Sequence, residues 1–219
     1  AGNITGNKTV CYGTNSTVLT LNGSVGATIY WQSSTDNSTF TTVANANNTT
    51  YTATNLTQNT YYRAIVKSGV CSEDTSAAVL MTVSPATVVG TVSNDTTVCA
   101  TNSNINLTLN GYVGAVQWQI ATASNGSFSN ISGATSSTLS TGTLSATRYY
   151  KARVVSGACD TLYSGVVTVT VVPASNAGTI TGATTVCAGS NSAQLSVSGT
   201  VGTIQWQSST KNTDFTDIN

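Results

Sequence analysis

The 219-residue chain carries 7 Lys+Arg and 7 Asp+Glu, a net charge of zero, and no histidine. Only 6% of residues are charged, against roughly 25% in an ordinary globular protein. This excludes the basic footprint of a nucleic-acid binder, any His-based triad or metal set, and, with no 18-residue apolar run, a membrane-spanning helix.

One pattern recurs along the chain. Cys11, Cys99 and Cys187 follow one another at 88 positions, and the same spacing separates Cys71 from Cys159, Pro85 from Pro173, and Tyr61-Tyr62 from Tyr149-Tyr150. Trp31, Trp118 and Trp206 follow at 87 and 88. A long fixed period means one supersecondary unit per repeat. The expected copies are 1–86, 87–174 and an incomplete third, 175–219. The third ends before any counterpart of Cys71, which predicts an array that continues past Asn219.

Alternation with period two predicts strands throughout. A short strand holding Ile4, Val92 or Ile180 opens each copy. Thr17, Leu19 and Leu21 then share a face, matched by Ile105, Leu107 and Leu109 and by Ala193, Leu195 and Val197. Ile29 and Trp31 follow, with Val116 and Trp118, then Ile204 and Trp206, in the same places. Beyond a polar loop come Tyr51 and Leu56, then Tyr62, Ala64 and Val66, aligned with Leu139, Leu144, Tyr150, Ala152 and Val154. Val79, Met81 and Val83 close the copy, as do Val167, Val169 and Val171. One buried face per strand and about seven short strands per copy predict an all-β chain of tandem Ig-like β-sandwich repeats of about 88 residues. Trp31, Trp118, Trp206, Tyr62 and Tyr150 are the expected core aromatics.

The order Cys, Trp about 20 residues on, Tyr, Cys resembles immunoglobulin-like domains, and Leu56, Thr60 and Tyr62 look like the corner motif of fibronectin type III modules. Copy two keeps Leu144 and Tyr150 but has Arg148 in the Thr position. Val10-Cys11, the run into Trp31-Gln32-Ser33-Ser34-Thr35, the Tyr-Tyr pair and Ser68-Gly69-Val70-Cys71 are similar to the tandem repeats of giant SprB-type surface adhesins of gliding flavobacteria. That resemblance implies a type IX-exported segment of a long cell-surface filament serving adhesion and gliding motility. Its expected partners are neighbouring repeats of the same chain, surface polysaccharide and the cell-envelope motility and secretion machinery.

Five cysteines in a charge-poor β array read as disulfides of an extracellular protein. Two pairings fit. Within copies, Cys11 bonds Cys71 and Cys99 bonds Cys159, with Cys187 left unpaired; across copies, Cys71 bonds Cys99 and Cys159 bonds Cys187. The first is preferred, because the second leaves a whole strand and a linker between bonded residues. Five free thiols are a further reading, and zinc is disfavoured because no C-x-x-C occurs.

No acid recurs at equivalent positions in both full copies, so no catalytic residue, metal ligand or cofactor is expected and the chain reads as non-enzymatic. The loops around Asp36-Asn37 and Asn125-Gly126 read as turns. Arg63, Lys67, Lys151 and Arg153 fall on the outward face of one strand, either as a contact stripe or as protection of a sheet surface. Asp160-Thr161-Leu162 resembles the O-glycosylation acceptor of Bacteroidota, which implies modification at Thr161. The alternative function is a spacer or carbohydrate-binding region of a secreted glycan-degrading enzyme, which calls for exposed aromatics; Tyr61 and Tyr149 are the repeated candidates.

Overall fold

The computed structural model describes residues 1–26, 28–101 and 103–218, with Thr28 described by its backbone alone. All regular structure among them is strand. The first copy holds β1 (Asn3–Thr5), β2 (Thr9–Cys11), β3 (Ser16–Asn22), β4 (Thr28–Ser34), β5 (Thr41–Thr42), β6 (Thr50–Thr54), β7 (Thr60–Lys67), β8 (Asp74–Thr75) and β9 (Val79–Ser84). The second holds β10 (Thr91–Val92), β11 (Thr96–Cys99), β12 (Asn106–Asn110), β13 (Ala115–Ala121), β14 (Ser129–Asn130), β15 (Thr138–Ser140), β16 (Arg148–Val155), β17 (Leu162–Tyr163) and β18 (Val167–Val172). The third contributes β19 (Thr179–Thr181), β20 (Ser196–Ser198), β21 (Gln207–Ser208) and β22 (Thr216–Asp217).

The chain forms two compact units, the first made of Ala1–Asn94, Asn106–Ser140 and Tyr149–Val167, the second of Asp95–Ile105, Thr141–Arg148 and the chain from Thr168 onward. In the first unit, copy one is a complete β-sandwich. One sheet runs β1-β3-β6; the other runs β2-β9-β7-β4-β5, with β8 added to β7. Every pair is antiparallel except β2 with β9, which is parallel and sets Cys11 opposite Ser84. The alternating apolar positions meet between the sheets: Ile4, Leu19, Leu21 and Ala53 from one, Val10, Ile29, Trp31, Tyr62, Ala64, Val66 and Met81 from the other. Trp31 is wholly buried. Its indole N–H donates to the Asn48 carbonyl at 2.9 Å, so the ring enters the core without stranding its polar edge. Tyr51 bridges Trp31 and Tyr62, with centroids 5.8 and 5.3 Å away. Burial, and then Tyr51 beside it, hold the Tyr62 phenol above its ordinary range.

The same unit repeats this architecture in copy two. β12 pairs with β10 and β15, while β13 pairs with β14 and β16. Leu107, Leu109, Val116, Trp118, Leu139, Tyr150, Ala152 and Val154 are buried there, and Trp118 donates to the Ser136 carbonyl at 2.9 Å, 88 positions from the Asn48 carbonyl that Trp31 uses.

In the second unit, β11 runs parallel to β18, with Cys99 opposite Val172. Its third-copy portion corrects the core expected from sequence. Trp206 is only half-buried, and Ile180, Leu195 and Ile204 are exposed. Residues 175–219 contain no counterparts of Tyr150, Ala152, Val154 and Val169, so the face that would cover Trp206 is missing from this stretch.

β2 and β11 lie outside the sequence expectation, which placed Cys11 in a segment before the Thr17 strand and Cys99 in one before the Ile105 strand. Both are too short to show alternation.

Candidate functional site

Among the described residues, no cluster of three or more His, Cys, Asp or Glu suited to a metal ion occurs, and no helix is long and apolar enough to cross a membrane. The most elaborated polar site is the junction between copies one and two.

Cys11 is bonded to Cys159, with Cα atoms 4.7 Å apart, whereas Cys71, Cys99 and Cys187 are free. This overturns the expected pairing of Cys11 with Cys71 and of Cys99 with Cys159. Strand direction supplies the reason. Cys11 lies beside Ser84 at the end of β9, and β9 is antiparallel to β7, with Met81 opposite Thr60. The Cys11 end of the sheet is therefore where β7 begins. Cys71 follows the turn after Lys67, where β7 ends. Eight residues of strand separate these ends by roughly 25 Å, far beyond the roughly 4.4–6.8 Å that a disulfide spans between Cα atoms.

The turn carrying Cys159 arrives there from the next copy. The Ala158 N–H donates to Ser84 Oγ at 3.2 Å, and the Ser156 N–H donates to Thr87 Oγ1 at 3.0 Å. Cys159 Sγ lies 3.1 Å from the Pro85 carbonyl oxygen. Ser84 and Cys159 are both buried. Gly157 takes φ 50° at the tip of the turn, a left-handed conformation in which a side chain is strained.

A second device holds each of the first two copies together next to its first cysteine. Asn15 Nδ2 donates to the carbonyls of Cys11, Gly13 and Leu56 at 2.7, 3.0 and 2.9 Å, while its Oδ1 accepts from the Leu56 N–H at 3.0 Å. Ser103, 88 positions on, bonds both backbone groups of Leu144 through its hydroxyl. Asn191 makes the Cys187 and Gly189 contacts in the third copy. Sequence reasoning noted Leu56 and missed its partner; the recurrence of a small polar residue four positions after each first cysteine was the available signal.

Arg63, Lys67, Lys151 and Arg153 are all half-buried. Arg63 donates to Gln32 Oε1 at 2.8 Å and sits 3.9 Å over the Phe40 ring. Lys151 lies 4.4 Å from the Phe128 ring and 4.6 Å from that of Tyr163. Each such contact is worth about 0.5–1 kcal/mol at an exposed site, so these two cations cover aromatic surface on their own sheet.

Thr161 is half-exposed just before β17, and Tyr61 and Tyr149 are half-buried on the outward side. Of the acids, Glu73 accepts from the Tyr30 hydroxyl at 2.7 Å, a bond that raises the Tyr30 phenol above its ordinary range. Asp36 accepts from Ser34 Oγ and from the Ser38 and Thr39 N–H groups at 2.7–2.8 Å, with Asn37 at φ 59°. Those bonds, that from Ser34 first, hold its carboxyl well below the usual range. Asp36 thus closes its own turn.

Fold and junction define a class: an all-β chain of tandem sandwich modules whose first two copies are joined covalently. The chain belongs to the family described as Domain of unknown function (DUF8696), whose model matches residues 1–85, 88–173 and 176–219. Among solved structures it is similar to the fibronectin(III)-like modules of Clostridium thermocellum CbhA, at 11% identity and TM-score 0.37, covering 78% of this chain and 94% of that one. It is also similar to the FN1-FN3 domains of chicken CNTN1, at 9% identity and TM-score 0.34, covering 82% of this chain and 70% of that one. No curated protein matches it.

Proposed function

We propose that the chain is a non-enzymatic structural and adhesive segment of a long, exported cell-surface filament, serving attachment to surfaces and gliding motility. The observation that carries this reading is the Cys11–Cys159 bond, which ties one module to the next. A link of that kind transmits load from module to module whether or not each sandwich opens, and it belongs to an oxidising compartment. The charge-poor, Thr- and Asn-rich composition suits a repeated surface that stays free of a strong field. The sequence resemblance to SprB-type repeats adds adhesion, gliding and type IX export, with surface polysaccharide and the envelope machinery as partners. Trp31 and Trp118, wholly buried, provide no sugar-stacking platform, which weighs against the carbohydrate-binding alternative.

Antibodies raised against the purified chain test the proposal. They are expected to label intact source cells and to reduce cell attachment and movement on glass. Labelling only after permeabilisation would overturn export; labelling of intact cells with unchanged attachment and movement would overturn the adhesive role.

A further inference from the structure

The junction is built from parts that recur at the chain's other repeat positions. Its receiving half in copy one is Cys11 at the end of β2, Ser84 opposite it, and Pro85 beyond. In copy two, Cys99 ends β11 opposite Val172, and Pro173 follows. The Ala100 N–H donates to the Val172 carbonyl at 2.9 Å, as the Tyr12 N–H donates to that of Ser84 at 2.9 Å. Yet here no turn is docked among the described residues: Cys99 is a partly exposed free thiol and Val172 is 42% exposed. The donating half shows the converse. In copy two the turn Ser156-Gly157-Ala158-Cys159 is docked and Cys159 is buried, whereas in copy one Ser68-Gly69-Val70-Cys71 leaves Val70 fully exposed and Cys71 a free, exposed thiol. The two turns are alike in backbone, with the Cys71 N–H on the Ser68 carbonyl at 3.0 Å and the Cys159 N–H on that of Ser156 at 2.9 Å, and glycine φ values of 53° and 50°.

We propose that Cys99 is the receiving half of a second staple: the turn of a further copy of this module docks at Val172-Pro173, and its second cysteine bonds Cys99. By the same rule Cys71 bonds the first cysteine of a preceding copy, so each module is cross-linked to the next in one direction along the array. This goes beyond the filament reading and does not depend on adhesion.

The bond forms by exchange with an oxidant disulfide, either glutathione disulfide or a protein dithiol oxidase. The Cys99 thiolate attacks one oxidant sulfur and expels the other as a thiolate. The incoming cysteine's thiolate then attacks Cys99 Sγ in the mixed disulfide and expels the second oxidant thiolate. Two protein thiols are oxidised, one oxidant disulfide is reduced to two thiols, and the two protons pass to those leaving groups. A hydrogen bond with the Thr101 hydroxyl at 3.2 Å lowers the Cys99 thiol below its ordinary range, favouring the attacking thiolate.

The test extends the intact 219-residue chain with residues 133–174, completing a third copy whose second cysteine falls 87 positions after Cys159. Refolding in glutathione redox buffer and non-reducing peptide mapping should recover Cys99 bonded to the added cysteine, with loss of thiol labelling at Cys99 and full labelling at Cys187. A bond from Cys187 to the added cysteine, or a Cys99 that stays labelled, overturns the proposal. A second chain, with residues 87–176 placed before Ala1 so that Ser175-Asn176 stand where Thr87-Val88 stand in the existing junction, should bond Cys71 to the added copy of Cys99; a free Cys71 there overturns it. So does absence of the Cys11–Cys159 peptide from the unextended chain.

Discussion

Gly157 in copy two lies so close to Ser84 in copy one that a Cβ on the glycine would stand 2.1 Å from Ser84 Oγ. Gly69, at the same place in the turn of copy one and with a similar positive φ, has open space around it. Gly157→Ala therefore adds a collision to the left-handed strain that both positions share. At Gly69 the alanine costs about 1 kcal/mol through backbone strain alone. At Gly157 it also displaces the hydroxyl that accepts from the Ala158 N–H. Thiol labelling during oxidative refolding should show slowed bonding of Cys11 in Gly157→Ala, no change in Gly69→Ala, and recovery when Ser84→Gly is added.

Trp31→Ala should unfold copy one and spare copy two. Removing a wholly buried Trp costs about 3–5 kcal/mol, a large part of one small module's stability, and the Asn48 carbonyl loses its donor. Trp118 reports on copy two by fluorescence. Melting should split into two transitions, with the later one unmoved.

Asn15→Ala removes an amide that donates to three backbone carbonyls and accepts from the Leu56 N–H. Leaving such groups without partners costs about 1–3 kcal/mol. The denaturation midpoint of copy one should fall accordingly. Ser103→Ala should do the same in copy two, because the wholly buried Ser103 serves both backbone groups of Leu144.

The Asp36 turn should open in acid. Its folded carboxyl titrates below the unfolded value, near 3.9, because Ser34, Ser38 and Thr39 donate to the ionised form. Its contribution is thus present above the unfolded value and is lost as pH falls through the lower folded one. Amide exchange at Ser38 and Thr39, measured downward from pH 5, should lose protection over that window. Asp36→Asn should remove the pH dependence.

Much of this organisation is written in local pattern. The 88-residue period, the strand alternation and the inward set Leu19, Trp31, Tyr62, Ala64 and Met81 are visible because each strand pairs one apolar face with one polar face, and the period returns the same residues to the same places. Two features escaped that logic. β2 and β11 are too short to alternate and are held by parallel pairing with β9 and β18, partners about 70 residues away. Asn15 and Ser103 act on backbone groups 41 positions off; their recurrence four positions after the first cysteine of each copy marks the positions in the sequence but does not name their partner.

The sequence by itself determined the all-β class, the repeat and the residues that fill two cores, since burying one face per strand demands that pattern. Only the tertiary structure decided which cysteines meet. All five recur on the same period, so spacing treats the within-copy and between-copy partners of Cys11 alike. The choice depends on which end of a sandwich each turn occupies, and therefore on strand direction. Parallel pairing of β2 with β9 puts Cys11 at the exit of its own copy, a strand's length from Cys71 and beside the incoming turn that carries Cys159.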